Sequence, residues 1–276
     1  MYYTRFASVV IKACYDETMR QRLSSLWFNS SIALLLAGIL ATTLHELSHL
    51  LAGKLLGLPA TLYSNAVEFP PATSINHQII TAATGPLFSL VSGLIILALT
   101  SHYGKGFVRL FWMWFGLISA QIGFGYFIIA PFARHGDTGK VLSLLQAPSF
   151  VYMVAFVIGV IGTLWLSRTF AKRVVSYTDG TPATMRPFGI YSWLTGTALL
   201  VTVYIFAVRN LSDSDQFITL FGVFTSAIFA PMFSFFYKKV TVTHETLRLE
   251  VPIIGLIFSF LMIVCVTLFL ANGIHL

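Results

Sequence analysis

Apolar residues run in long blocks along this chain, separated by short polar stretches. About 20 consecutive apolar residues are needed for a helix to cross the hydrocarbon core of a bilayer. Seven stretches reach that length, at about 27–54, 79–101, 107–131, 151–171, 189–209, 216–236 and 254–274. The pattern predicts an all-α polytopic membrane protein with about seven transmembrane helices, six at the least. Two intervening stretches have strand character instead. Ala60–Phe69 follows the first span as a short strand-like loop closed by Pro70–Pro71, and Val240–Val251 alternates apolar with polar residues. Residues 1–25 are too charged to cross and lack the apolar core and cleavage site of a secretory signal. A helix lying on the membrane surface is the expected state of that segment.

Composition agrees with this reading. Of 276 residues, 57% are hydrophobic and only 10% charged, against about 25% charged in soluble domains. The formal charge of +7 forms no nucleic-acid-binding face, because its Lys and Arg sit between the apolar blocks as membrane flanks do. The expected surroundings are a lipid bilayer, with no nucleic-acid partner. With seven spans, only Lys54, Arg134, Lys140 and Arg209 of the 17 Lys and Arg fall on the side opposite the N-terminus. That bias predicts a cytoplasmic N-terminus and an outward C-terminus, in a cell membrane of bacterial type. Cys14 and Cys265 lie at opposite ends of the chain, which leaves no disulfide framework and no cysteine metal site.

The chemistry concentrates in the first span, at His45-Glu46-Leu47-Ser48-His49. Residues four apart on a helix project about 40° apart, so His45 and His49 can present two imidazoles to one Zn²⁺ ion. Glu46 projects from the neighbouring face, where it can hold a metal-bound water and accept its proton. Three ionisable residues in an otherwise apolar span each cost at least ~2.5–3.5 kcal/mol on insertion scales. A shared metal and a polar cavity relieve that cost.

A catalytic zinc usually has three protein ligands and one open position. No third histidine follows His49 at a suitable spacing, Glu68 lies beside prolines in a loop, and Glu245 and Glu250 are remote and interfacial. Asp137, in Arg134-His135-Gly136-Asp137-Thr138-Gly139, follows the third span, whose end lies on the same side as that of the first. It is the favoured third ligand, and His135 is the alternative. Gln121, Thr81 and Thr84 are polar residues within spans and suit either a cavity lining or helix–helix hydrogen bonds. Trp27, Phe28, Trp112 and Trp114 read as lipid-facing or interfacial anchors.

Three features in order resemble the site-2 protease family of intramembrane zinc metalloproteases. They are His45–His49 within a membrane helix, Gly85-Pro86 in TAATGPLFSL, and Asp137 after the third span. The resemblance covers about residues 30–145. It implies a three-helix metalloprotease core at 26–145, preceded by the segment 1–25 and followed by a four-helix transmembrane region at 146–276. It further implies one bound Zn²⁺, with Glu46 as catalytic base and His45, His49 and Asp137 as ligands. The implied activity is hydrolysis of a peptide bond in or near the transmembrane segment of a membrane-anchored protein substrate. Gly85, Pro86 and Ser89 are the substrate-binding candidates, and Ala60–Phe69 is similar to the β-element with which the family holds unwound substrate. Ser89 stands where the family has Asn, and His-Gly-Asp-Thr-Gly stands where it has Asn-Pro-x-Asp-Gly. The motifs also lie toward the face opposite the N-terminus, whereas the family's site is nearer the cytoplasm. The competing expectation is a non-proteolytic pseudoprotease or metal-handling protein on the same scaffold.

Overall fold

A computed structural model describes residues 2–71, 73–99, 106–174, 177–178, 182–211, 213–232, 236 and 251–276. Side chains are described from Ser25 onward, other than at 182–183, 187 and 213–215. In chain order the elements are α1 (Tyr2–Leu55), β1 (Thr61–Leu62), β2 (Val67–Glu68), α2 (Ile75–Leu99), α3 (Gly106–Ile129), α4 (Asp137–Leu144) and α5 (Ser149–Val174). After these come α6 (Pro182–Arg186), a π-helical turn at Pro187–Tyr191, α7 (Ser192–Ala207), α8 (Asp213–Thr225), α9 (Ile253–Val264) and β3 (Ile274–His275).

Among the described residues, six helices are long and apolar enough to cross a membrane: Ser25–Leu55, Ile75–Leu99, Gly106–Ile129, Ser149–Val174, Thr184–Ala207 and Ile253–Asn272. The chain is therefore an all-α, multi-pass integral membrane protein. The backbone of residues 2–24 continues the first of these helices without a break. Among the described residues of the stretch expected to be a seventh span, 216–236, the α-helix runs only to Thr225, and α8 is 13 residues long. Two hydroxyls bond back at that end. Thr225 Oγ1 bonds back to the Phe221 carbonyl and Ser226 Oγ to that of Val223, which competes with the helical ladder. Pro231 then supplies no N–H and disfavours helix at the residue before it.

Within lipid, helices pack by close approach at small residues rather than by expelling water. A Cβ on Gly93 of α2 would meet the backbone of Gly116 and Ala120 in α3, and one on Gly159 of α5 would meet Ile128 and the Phe124 carbonyl. These contacts fix α3 between α2 and α5. Trp114 departs from its expected lipid-facing place. It is fully buried against Phe170 and Phe229, and its Nε1 donates to Ser30 Oγ at 3.0 Å, tying α3 to α1. An indole with a buried partner for its N–H suits a core position as well as an interface. Trp27, Phe28 and Trp112 are exposed, as anchors are.

The strand expected within Ala60–Phe69 is a β-hairpin, with Thr61 opposite Glu68 and Leu62 opposite Val67. The C-terminal β3 adds to its other side, giving the order β2-β1-β3, with Leu62 opposite Ile274. The strand expected at Val240–Val251 lies almost entirely outside the described residues, which resume at Val251. Asn210, just after α7, donates to the Ala271 carbonyl, so the ends of the fifth and last spans meet at the hairpin's end of the bundle.

Candidate metal centre

The helix α1 carries His45, Glu46 and His49 about two turns before its end, and all three are buried, at 2%, 6% and 6% exposure. Asp137 arrives from α3 by a tight path. That helix stops at Ile129, the chain turns through 130–136, and Asp137 opens α4. Gly136 precedes it in an extended conformation. Gly139 is held so close to the Ala133 carbonyl that a Cβ there would collide with it, so the turn tolerates little beyond glycine at that position.

His45 Nε2 and His49 Nε2 lie 3.1 Å apart, and Asp137 Oδ2 lies 3.1 Å from the first and 3.2 Å from the second. A tetrahedral ion with bonds of ~2.0–2.1 Å separates its ligand atoms by about 3.3 Å. The triangle is thus the size of one face of such a site, and these three residues are a group able to hold a metal ion. Burial alone raises the Asp137 carboxyl, but the two imidazoles beside it outweigh that and hold it below the usual carboxylate range. A charged oxygen therefore faces the two nitrogens.

The remaining ring nitrogens orient the histidines. His49 Nδ1 donates to the Thr81 carbonyl at 2.6 Å. A carbonyl only accepts, so Nδ1 carries a proton, and Nε2 is the nitrogen left to face a metal. His45 Nδ1 is hydrogen-bonded to Ser89 Oγ at 3.0 Å. Both partners belong to α2, whose Gly85 faces the site directly. A Cβ on Gly85 would fall on His49 Nε2 and lie 2.7 Å from His45 Nε2. Replacing Gly85 by Val is expected to weaken metal binding by at least the ~10–100-fold typical of a lost outer partner. The bundle should stay folded, as metal titration alongside thermal unfolding would show.

The sequence candidates thus divide. His45, Glu46, His49 and Asp137 converge, with Gly85 and Ser89 packed behind the histidines. Pro86 is buried in α2, where its missing N–H leaves the Ala82 carbonyl without its usual helical donor. His135 is exposed and lies outside the metal-ligand group. Thr81 and Thr84 direct their hydroxyls to carbonyls of their own helix, so it is the Thr81 carbonyl that serves the site. Gln121 is buried, with its Oε1 lacking a hydrogen-bond partner among the described residues.

One contact had no sequence signal. Tyr126 of α3 stacks on His45, with ring centroids 5.2 Å apart and planes 5° from parallel, and its phenol lies within electrostatic reach of the Asp137 carboxylate. Nothing in the spacing of FGYFII singles it out from the other aromatics of the spans.

Comparison with protein-family models, with curated proteins and with solved structures finds no match to this chain.

Proposed function

We propose that this chain is an intramembrane zinc metalloprotease similar to the site-2 proteases, cleaving a membrane-anchored protein in or near its transmembrane segment. The observation that carries the reading is the meeting of three ligand atoms from α1 and α4 beside the glutamate of the same His-Glu-x-x-His turn. Two imidazoles and one carboxylate are a donor set of the catalytic zinc type. A zinc ion held there supplies Lewis-acid polarisation of a carbonyl and an acidified water. Glu46 takes the proton from the attacking water and returns it to the amine nitrogen as the peptide C–N bond breaks. A buried helix turn around these groups limits access by bulk water. The Lys/Arg distribution supports a cytoplasmic N-terminus, with the site toward the other face.

A helical substrate must unwind to expose its carbonyls, and the hairpin offers a place for the unwound stretch. Tyr63 N–H donates to the Ala66 carbonyl, and Ala60 exchanges two bonds with Leu276. Alternation along antiparallel strands then directs the backbone groups of Leu62 toward β3 and those of Val67 outward. With β3 covering one side, the edge left open among the described residues is that of β2. It also leads to the metal centre, because Phe69 packs on Gly53, one helical turn beyond His49. Val67→Pro removes the outward N–H and leaves the hairpin's own bonds intact. It is expected to slow cleavage with zinc content unchanged.

The test is cleavage of tagged single-span proteins co-reconstituted with the purified protein in vesicles, read by mass spectrometry of the fragments. Cleavage that stops with a zinc chelator and returns with zinc supports the reading. A zinc-loaded protein that cuts none of them favours the metal-handling alternative.

A further inference from the structure

We propose that Tyr126 is a positioning residue of the metal centre, locking the Asp137 carboxylate and the His45 ring into one geometry from α3. The inference rests on the metal-centre reading above and extends it to a residue outside the three motifs. Each of the two histidines has an outer partner on α2: Ser89 for His45 and the Thr81 carbonyl for His49. Asp137 has neither on that helix. It opens α4 behind a run of turns, its preceding Gly136 offers no side-chain cap, and its side chain is 23% exposed. Beyond the two imidazole nitrogens at 3.1 and 3.2 Å, it takes an outer partner to hold the carboxylate in one rotamer.

Tyr126 is the group that does so. Its phenol lies near the carboxylate, and its O–H is assigned as the donor there, since an ionised carboxylate can only accept. The same ring lies flat on His45, so one rigid side chain with two rotatable bonds touches ligands 92 positions apart in sequence. The ring thus limits tilting of His45 while the hydroxyl selects the rotamer of Asp137. Each of the three ligands then has an outer partner. Such partners typically contribute 10–100-fold to metal affinity.

The experiment compares wild type, Tyr126→Phe and Tyr126→Leu in detergent, each stripped of metal and then titrated with Zn²⁺ against a competing chelator. The visible absorption of the Co²⁺-loaded forms and the thermal midpoint of the metal-free forms are recorded in parallel. Tyr126→Phe keeps the stacked ring and loses only the hydroxyl. It is expected to bind Zn²⁺ about 10–100-fold more weakly, with an altered Co²⁺ spectrum and an unchanged metal-free midpoint. Tyr126→Leu, which loses both contacts, is expected to bind more weakly still. If Tyr126→Phe matches wild type in affinity and spectrum while the wild type binds tightly, the positioning role is overturned and the metal centre stands. The same holds if Tyr126→Phe lowers only the metal-free midpoint, the mark of a packing role. A wild type that binds neither ion overturns the metal centre and this inference together.

Discussion

Asp137→Ala is expected to empty the metal site, taking the purified protein from about one zinc per chain to near none by elemental mass spectrometry. The reason lies in the triangle of ligand atoms. Asp137 Oδ2 stands 3.1 and 3.2 Å from the two imidazole nitrogens and brings the negative charge. Without it, a divalent cation would meet two neutral nitrogens four residues apart on one helix, in a buried place with little solvent to complete its shell. The loss should exceed the ~10–100-fold that an outer partner contributes, and His45→Ala or His49→Ala should match it. His135→Ala is the contrast. That residue neighbours Asp137 in sequence but is exposed and outside the group, so its zinc content should equal that of wild type. Full zinc in Asp137→Ala, or loss in His135→Ala, would mean that the third ligand is misassigned.

How much of this was legible beforehand depends on the range of the interaction. The His45–His49 pair is a property of one helical turn, so its four-residue spacing suffices to place both rings on one face. Asp137 could be favoured because successive spans alternate in direction, which puts the ends of the first and third on one side. The hairpin at 61–68 showed as a short strand-like loop closed by prolines. Other features have no local signature. Tyr126 resembles every other aromatic of the spans until α3 is packed against α1 and α4. Ser89 was a candidate for substrate contact, and no spacing signalled that its hydroxyl is hydrogen-bonded to His45 Nδ1. The β3 strand is two residues long, too short for any alternation, and exists only because Ala60 and Leu276 exchange bonds across the sheet. Hydropathy marked 216–236 as one continuous helix, since it averages over residues and cannot register the proline that interrupts the ladder after α8 stops at Thr225. Trp114 shows the same limit, as periodicity does not separate a lipid-facing ring from one seated among Phe170 and Phe229.

Glu46→Gln is expected to keep the metal and lose the chemistry. The ligand triangle consists of His45, His49 and Asp137, and Glu46 is not among its members, so the change should leave zinc content near that of wild type. Its carboxylate is buried within the charge environment of all three ligands and forms no hydrogen bond to protein among the described residues. A metal-holding protein gains nothing from an ionisable group in such a position, where burial in an apolar span costs at least ~2.5–3.5 kcal/mol on insertion scales. A hydrolase does gain, because general acid–base catalysis typically contributes about 10²–10⁴-fold. Glutamine has the same shape but cannot accept the proton, so substrate cleavage in vesicles should fall by about that factor while zinc remains. Such a split between metal and activity separates the protease from a metal-handling protein, in which Glu46→Gln should be silent. If cleavage persists undiminished in the zinc-loaded variant, the proton passes through another group, and the assignment of Glu46 as base fails even though the metal centre stands.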